Sequence, residues 1–577
     1  MKTLILGNEA VARGLYEAGC AFVSSYPGTP STEITEAVAK YKEVYAEWAP
    51  NEKVALESAF GAALSGKRAF CGMKHVGLNV AADPLFTIAY TGVNAGLLIG
   101  VADDAGMHSS QNEQDSRHYA KAAKIPMLEP ADSGEALAFA KLGYELSEKY
   151  DTPVLIKMCT RVAHSQSVVE TGERVEVQKP YEKTPQKYIM MPGNAKQRHP
   201  IVEQRTRDLV TYAETAAVNR LEAGSDNSIG IITSSTSYQY VKEVCGDQYP
   251  VLKLGMIWPL PEQKILDFAA SVNKVIVVEE LDGFVEEHCK NLGISVPGKE
   301  LFSCIGELSQ NIVAEKLGRT PDVGQALEVE IPARPPVMCA GCPHRGLFYT
   351  LAKNKITVMG DIGCYTLGAV PPLGALDTTI CMGASVSGLH GFVKAMEGKA
   401  DGNTVGVIGD STFMHSGITG LVSVAYNNSN ATLIILDNSI TGMTGHQQNP
   451  TTGYNLKGDP AAKIDLETLC RAVGINRVRV VDPYDLKACE MAVKEELAAK
   501  EPSVIISRRP CALLKYVKHN NPLAVEQEKC KSCKACMRIG CPAISMEGGK
   551  AKIDNTLCTG CGVCAQLCKF DALKGEA

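Results

Sequence analysis

The sequence predicts an α/β protein of several domains: three open, doubly wound sheets followed by a small cysteine-rich tail. Three observations carry that prediction. Short apolar runs recur along the chain, each ending in Gly, Asp, Ser or Asn and leading into a helical pattern, as strands buried in parallel sheets do. The length of 577 residues calls for about four domains of ordinary size. The 21 cysteines are unevenly spread, with eight of them between Cys530 and Cys568.

Composition excludes some classes. Lys and Arg number 58 against 64 Asp and Glu, which is no footprint for nucleic acid. No uninterrupted apolar run is long enough to span a bilayer, and the start, MKTLILGNEAVARG, lacks a signal-peptide core and cleavage site. The expectation is a soluble, cytoplasmic protein with no membrane partner. In such a chain, clustered cysteines mean metal rather than disulfides.

Residues 1–165 read as the first α/β unit. Thr3–Leu6 and Ala21–Ser25 are its first strands. The second runs into Tyr26-Pro27-Gly28-Thr29-Pro30-Ser31, a rigid loop, where Ser31 is placed to cap the next helix. Asn51-Glu52-Lys53 opens a helix of small residues, Val54–Ser65. Read alone, Glu52 is a helix-start carboxylate complementing the macrodipole. After the Ala69–Cys71 strand comes Met73-Lys74-His75-Val76-Gly77, and after Leu97–Val101 a polar loop holding Arg117. That Arg is either a solvated surface residue or a bidentate partner for a carboxylate.

Residues 166–205 are charged and poorly periodic and read as a linker. Residues 206–331 are a second α/β unit with strands at Ser228–Thr233, Val251–Leu254 and Lys274–Val278, and without a catalytic constellation. Pro332–Pro336 is a stiff boundary. A third α/β unit, 332–515, opens with Cys339-Ala340-Gly341-Cys342-Pro343-His344 and continues through Gly360-Asp361-Ile362-Gly363-Cys364. Gly383-Ala384-Ser385 begins a helix whose amino end suits phosphate. Two apolar runs follow, Thr404–Ile408 and Ala431–Leu436, ending in Gly409-Asp410-Ser411 and in Asp437-Asn438-Ser439. Strand ends of open sheets build ligand sites. Oxygen ligands such as Asp410 and Asn438 suit Mg2+, which takes one or two protein groups and leaves the rest to water and phosphate.

The tail, 520–577, is the most specific segment. It reads Cys530-x2-Cys533-x2-Cys536-x4-Cys541-Pro542, then Cys558-x2-Cys561-x2-Cys564-x3-Cys568. This is the bacterial two-cluster ferredoxin spacing, in which each fourth Cys serves the other cluster. One [4Fe–4S] set is then Cys530, Cys533, Cys536 and Cys568. The other is Cys558, Cys561, Cys564 and Cys541. Cys541 comes one residue late, and Lys569 replaces the second proline. A zinc ribbon is the alternative such spacing disfavours.

Asp410, followed 28 positions later by Asn438, resembles the signature of thiamine-diphosphate enzymes, with Ser411 in place of its last glycine. The resemblance implies that Gly409, Asp410, Ser411, Asn438 and the Ile440 carbonyl hold Mg2+ and the diphosphate. It implies that Glu52, nine positions before Gly61, pairs with the cofactor's aminopyrimidine. The 206–331 unit looks like the transketolase C-terminal domain of such enzymes.

Thiamine chemistry and a ferredoxin tail together resemble the 2-oxoacid:ferredoxin oxidoreductases, over essentially the whole chain. That family oxidatively decarboxylates a 2-oxoacid with CoA, giving an acyl-CoA, CO2 and reduced ferredoxin. The resemblance implies that Thr29 and Arg117 hold the substrate carboxylate. It also implies a third [4Fe–4S] cluster on Cys339, Cys342, Cys364 and Cys511. The family's small γ-type domain has no counterpart here, which implies a separate β subunit and an α2β2 assembly. Gly28, where relatives carry Ile, suggests room for an aryl 2-oxoacid of the indolepyruvate or phenylpyruvate type. Pyruvate or a branched-chain 2-oxoacid, a non-redox thiamine decarboxylase and an electron-transfer adaptor are the competing readings. His75, His344 and His446 are candidate proton carriers or ordinary core and loop histidines.

Overall fold

The computed structural model describes residues 2–325 and 328–575. It divides into two compact units, one up to Val329 and one from Glu330. In the first, a seven-stranded sheet runs in the order Met256–Trp258, Met127–Leu128, Val154–Cys159, Leu97–Asp103, Ala69–Lys74, Phe22–Ser25 and Tyr45–Trp48. All neighbours are parallel except the Met256–Trp258 edge strand. Ala69–Lys74, Leu97–Asp103 and Val154–Cys159 are buried along their whole length, as strands covered on both faces must be. Ser25 pairs with Gly72, so the Tyr26–Ser31 loop and Lys74-His75 leave adjacent strands at the same, carboxyl edge.

Three expectations need correction. Lys2–Leu6 is a strand, but it pairs antiparallel with Gln166–Glu170 in a ribbon of its own. Residues 166–205 are not a plain linker, because the 24-residue helix Pro192–Thr215 starts within them. That helix is anchored by guanidinium groups. Arg198 Nε donates to the Tyr90 carbonyl at 2.7 Å and its Nη2 to Asp151 at 3.0 Å, while Arg205 donates to the Ala89 carbonyl at 2.7 Å. An arginine-anchored helix leaves only a faint apolar periodicity. The third correction is the Met256–Trp258 strand, which extends the first domain's sheet from within the second. The second domain's own sheet holds Val275–Val278, Gly230–Thr233, Val251–Lys253 and Arg220–Glu222.

The second unit is built on a five-stranded parallel sheet. Its order is Thr357–Met359, Thr404–Gly409, Thr432–Asp437, Ser503–Arg508, Arg477–Val481. Gly409 pairs with Leu436, and Asp437 with Arg508. That register brings three chain segments to one sheet edge: Asp410 onward, Asn438 onward and Arg509–Cys511. The tail adds two small antiparallel ribbons, Leu523–Val525 with Leu573–Gly575 and Ile544–Glu547 with Lys550–Ile553. Its core packs Leu523, Ile539, Ile544, Val563 and Leu573 around the cysteines. Among the described residues no helix is long and apolar enough to cross a membrane.

Candidate functional site

Asp410 opens a short helical turn, Asp410–Thr412, directly after its strand. Ser411 therefore has helical backbone, which a serine adopts without strain, and its hydroxyl accepts from Thr441 Oγ1 at 2.8 Å. Gly409 is tightly constrained: a Cβ there would stand 2.7 Å from the Tyr365 ring. On the neighbouring strand end, Ser439 has φ +58°. This left-handed residue turns the chain between Asn438 and Ile440. Asn438 Oδ1 stands 2.8 Å from the Ile440 carbonyl oxygen and 3.2 Å from Asp410 Oδ1.

Three oxygen acceptors facing one another repel unless a proton or a cation lies among them. A flipped Asn438 amide would donate to both neighbours and close the loop on itself. The alternative is a cation, because the octahedral edge around Mg2+, with bonds of about 2.1 Å, is about 3 Å long. Asp410 favours the cation. It is 2% exposed, and burial, then the nearby Asp437 charge, push its carboxyl up to about 7. Asp437 itself is engaged by Arg508 Nε at 2.8 Å. A buried carboxylate without a countercharge of its own is what a divalent ion compensates. The oxygen donor set thus fits Mg2+.

The expected phosphate site at Gly383, Ala384 and Ser385 needs correction. Gly383 has φ +89° and does begin the helix Ala384–Ala395. The Gly383 and Ser385 amides, however, donate to the two oxygens of Asp361, each at 2.9 Å, and the Ala384 amide donates to Cys381 O at 3.1 Å. A buried carboxylate thus already takes the anion position at this helix start. Asp361 lies three residues before Cys364 and ties that loop to the helix. Its sequence context, Gly-Asp-Ile-Gly, carried no assigned role.

In the first unit, Glu52 heads the helix Glu52–Leu64, whose Asn51 cap accepts from Val54 N at 2.9 Å. Its carboxylate is 4% exposed and lies against Gly77, where a Cβ would stand 2.5 Å from Oε1. Thr29 is half-buried in its loop. Ser31 does not cap the following helix but closes the loop by donating to the Gly28 carbonyl at 2.8 Å. A side chain at Gly28 would meet the Lys74 Cβ at 2.9 Å, so the absent bulk is filled by Lys74. Lys74 is 7% exposed; its ammonium donates to Ser109 O at 2.8 Å and stands 4.0 Å from Asp104. Burial pulls it down to about 8, against the pull of Asp104. Lys74 is the residue that sequence reasoning missed. Its one signal was its place at the carboxyl end of a strand beside the Thr29 loop.

The carboxylate-binding role expected of Arg117 is contradicted. Arg117 is 1% exposed. Its Nε and Nη2 donate to Asp115 at 2.6–3.0 Å, its Nη1 to Glu279 at 2.6 Å, and Nη2 again to the carbonyls of Glu280 and Asp282. A guanidinium whose forks are spent on two buried carboxylates and two carbonyls has no face left for a substrate. Among the candidate histidines, His344 is fully buried and held down to about 4 by burial, so it stays neutral near pH 7. Burial also lowers His75. His446 Nε2 stands 3.8 Å from Cys511 Sγ.

The twelve candidate ligand cysteines fall into three sets, all in the second unit. Cys530, Cys533, Cys536 and Cys568 line one cavity. Cys541 instead joins Cys561 and Cys564 in lining another, so the fourth cysteines cross over as the spacing predicts. Cys339, Cys364 and Cys511 are neighbours, as are Cys342, Cys339 and Cys364. The Cys364 thiol is pushed up to about 11 by burial and then by Cys511 and Cys339 beside it. The Cys511 amide donates to Asn438 O at 2.9 Å, and a Cβ on Gly442 would stand 3.4 Å from Cys364 Sγ. This third set therefore shares its loops with the Asp410–Asn438–Ile440 oxygens. Among the described residues no three of these sulfurs lie within 4.8 Å of one another. That is wider than the edge of about 3.8 Å of a tetrahedron of sulfurs around zinc. All-thiolate sets of this kind are the donors that iron–sulfur clusters take.

Comparisons with known proteins agree with this layout. The family model of the pyruvate flavodoxin/ferredoxin oxidoreductase thiamine-diphosphate-binding domain matches residues 13–227. The model of the C-terminal binding domain of thiamine pyrophosphate enzymes matches 361–507, and the 4Fe-4S binding domain model matches 551–574. Among curated proteins, the indolepyruvate oxidoreductase subunit IorA of Archaeoglobus fulgidus is 40% identical over 99% of this chain and 97% of that protein. The subunits of the same name from Thermococcus kodakarensis and Methanothermobacter thermautotrophicus are 40% and 39% identical. They align with 99% and 100% of this chain and 97% of each relative.

Proposed function

The chain belongs to the family of the indolepyruvate oxidoreductase IorA subunits, thiamine-dependent oxidoreductases of 2-oxoacids, and on that premise we propose the following reading of its site. The substrate is an aryl 2-oxoacid such as indolepyruvate. Together with CoA and two oxidised ferredoxins it gives an arylacetyl-CoA, CO2, a proton and two reduced ferredoxins. The observation that carries the redox reading is the sharing of loops between the Asp410–Asn438–Ile440 oxygens and the Cys339, Cys342, Cys364 and Cys511 set. A non-redox decarboxylase has no use for a cluster there. Bound thiamine diphosphate supplies the nucleophilic carbon and the electron sink for decarboxylation. Asp410 Oδ1, Asn438 Oδ1 and the Ile440 carbonyl are the groups that would hold Mg2+ for the cofactor's diphosphate, and Glu52 is the carboxyl that would hold or move a proton for its pyrimidine ring. A separate β subunit completes an α2β2 assembly.

The experiment is anaerobic analysis of iron, sulfide and thiamine diphosphate per chain. Three four-iron clusters require about twelve irons, with one thiamine diphosphate. Cys511→Ser is expected to remove about four irons and leave thiamine bound. A wild-type protein with about eight irons would sink the third cluster.

With Arg117 spent internally, Lys74 and Thr29 take the substrate carboxylate. Lys74 is cationic below its depressed value of about 8 and neutral above it, so kcat/KM for the 2-oxoacid is expected to fall as pH rises through about 8. Lys74→Gln raises KM about 10- to 100-fold, the cost of a lost charged hydrogen bond of 1.5–3 kcal/mol, and abolishes that limb of the profile. A Lys74→Gln enzyme with wild-type KM and pH profile would return the carboxylate to another group.

A further inference from the structure

The two cysteine sets of the tail stand in opposite surroundings. The set containing Cys541, Cys561 and Cys564 faces inward: its cavity is shared with Gly341, Cys342 and Arg345. The Arg345 guanidinium clamps it there, donating to Ile539 O at 3.0 Å, Gly540 O at 2.5 Å and Cys339 O at 3.1 Å. Tyr484 adds a second clamp, its hydroxyl donating to Gly341 O at 2.5 Å and its carbonyl accepting from Gln566 at 2.6 Å.

The Cys530 set faces outward. Cys533 is exposed, and the rim of its cavity is made by Lys531, Lys534 and Phe570, all exposed. Lys569 is exposed next to Phe570. Elsewhere on the tail the lysines are occupied. Lys529 and Lys574 pair with Glu526 and Lys552 with Glu547, while Lys550 donates to the carbonyls of Gln527 and Cys530. Lys531, Lys534 and Lys569 form no ion pair among the described residues. Lys531 and Lys534 thus bring unpaired positive charge to the rim of the exposed cysteine's cavity, with Lys569 next in the chain to the Phe570 ring on that rim; Arg538, exposed and without an ion pair among the described residues, adds a fourth cation to the tail outside the rim. Aromatic anchors inside a charged rim are how transient protein contacts obtain both steering and grip.

We propose that this face, Lys531, Lys534 and Lys569 around Cys533 and Phe570, is the docking surface for an acidic one-electron carrier protein of the ferredoxin type. The inference rests on the redox reading above and deepens it by naming the exit. Each docking event takes one electron, so oxidation of one 2-oxoacid needs two carriers in turn. The lysines steer approach at long range, and Phe570 fixes the carrier at contact.

The test uses the anaerobically loaded holoprotein and an acidic single-cluster ferredoxin as probe, with Kd measured by interferometry as a function of salt. The wild type is expected to bind more weakly as salt rises. Lys531→Glu/Lys534→Glu weakens binding at least about tenfold and flattens the salt dependence, and the milder Lys531→Gln/Lys534→Gln pair lies between. Iron and sulfide are counted in every variant so that only loaded proteins are compared. Lys552→Glu/Lys574→Glu, the same charge change on two lysines already paired, leaves Kd within about twofold. Wild-type affinity in both Lys531/Lys534 variants overturns the proposal, and so does an equal loss in Lys552→Glu/Lys574→Glu, which would show a net-charge effect with no docking face. The parent reading is tested separately by viologen reduction with indolepyruvate and CoA in the wild type. Its failure there would leave a measured carrier Kd standing, and its success would not rescue a failed docking face.

Discussion

Asp410→Asn is expected to leave the protein folded and without its metal and thiamine diphosphate. The substitution keeps the side chain's shape and removes the one full negative charge among the three facing oxygens. Loss of a mere outer-shell partner of a metal costs about 10- to 100-fold in affinity, so loss of the charged ligand itself costs at least about 100-fold. The sign of the stability change separates this from general damage. Without metal, the wild type buries the Asp410 carboxyl beside Asp437, with burial pushing it up to about 7. The amide removes that conflict. Metal-free Asp410→Asn should therefore melt no lower than metal-free wild type. Adding Mg2+ and thiamine diphosphate at about 100 times Kd stabilises the wild type by about 2.7 kcal/mol and the variant hardly at all. Differential scanning calorimetry with and without the two ligands reads both effects. A variant that retains thiamine, or that gains the same stabilisation, would remove Asp410 from the metal site.

What could be read from the sequence divides along the range of the interactions. Asp410 and Asn438 were legible because each sits at the end of an apolar run, and parallel strands bring such ends to one edge whatever the rest of the chain does. The tail cysteines were legible because their ligand pattern is local and its spacing is strict. Cys511 was not legible by spacing. It is 147 residues from Cys364, and only the pairing of Asp437 with Arg508 delivers it. Arg117 was misread for a related reason. Asp115 was in plain view two residues away, but Glu279, which closes the guanidinium's other fork, comes from 162 residues further on. Gly383–Ser385 failed in the same way, because a helix start that looks open in sequence is capped by Asp361 from 22 residues upstream. The helix Pro192–Thr215 was missed because it docks by Arg198 and Arg205 rather than by an apolar stripe. Local patterns announced ligands; whether a charged group was still available was decided by distant parts of the chain.

Glu52→Gln is expected to lower turnover by about 10²- to 10⁴-fold, the usual range for a lost proton-transfer group, with thiamine and iron contents unchanged. The bland reading makes a different forecast. If Glu52 only complements its helix dipole, the amide costs about 0.3–1 kcal/mol of stability and turnover stays within a few-fold. The substitution is nearly isosteric, and the helix keeps its Asn51 cap, whose side chain accepts from Val54 N at 2.9 Å. A fold defect is therefore not the expected cause of lost activity. The more direct readout is exchange of the cofactor's reactive carbon-bound proton for deuterium in the holoprotein, which should slow by a factor similar to turnover. Gly77 offers an independent approach to the same carboxylate. A Cβ there would stand 2.5 Å from Glu52 Oε1 and 2.7 Å from its Cγ, so Gly77→Ala must push the acid aside while leaving residue 52 chemically intact. Slow exchange in both variants, with thiamine still bound, would assign the effect to where the carboxylate stands as well as to what it is. Normal exchange in Glu52→Gln would return Glu52 to the role of a helix-start charge.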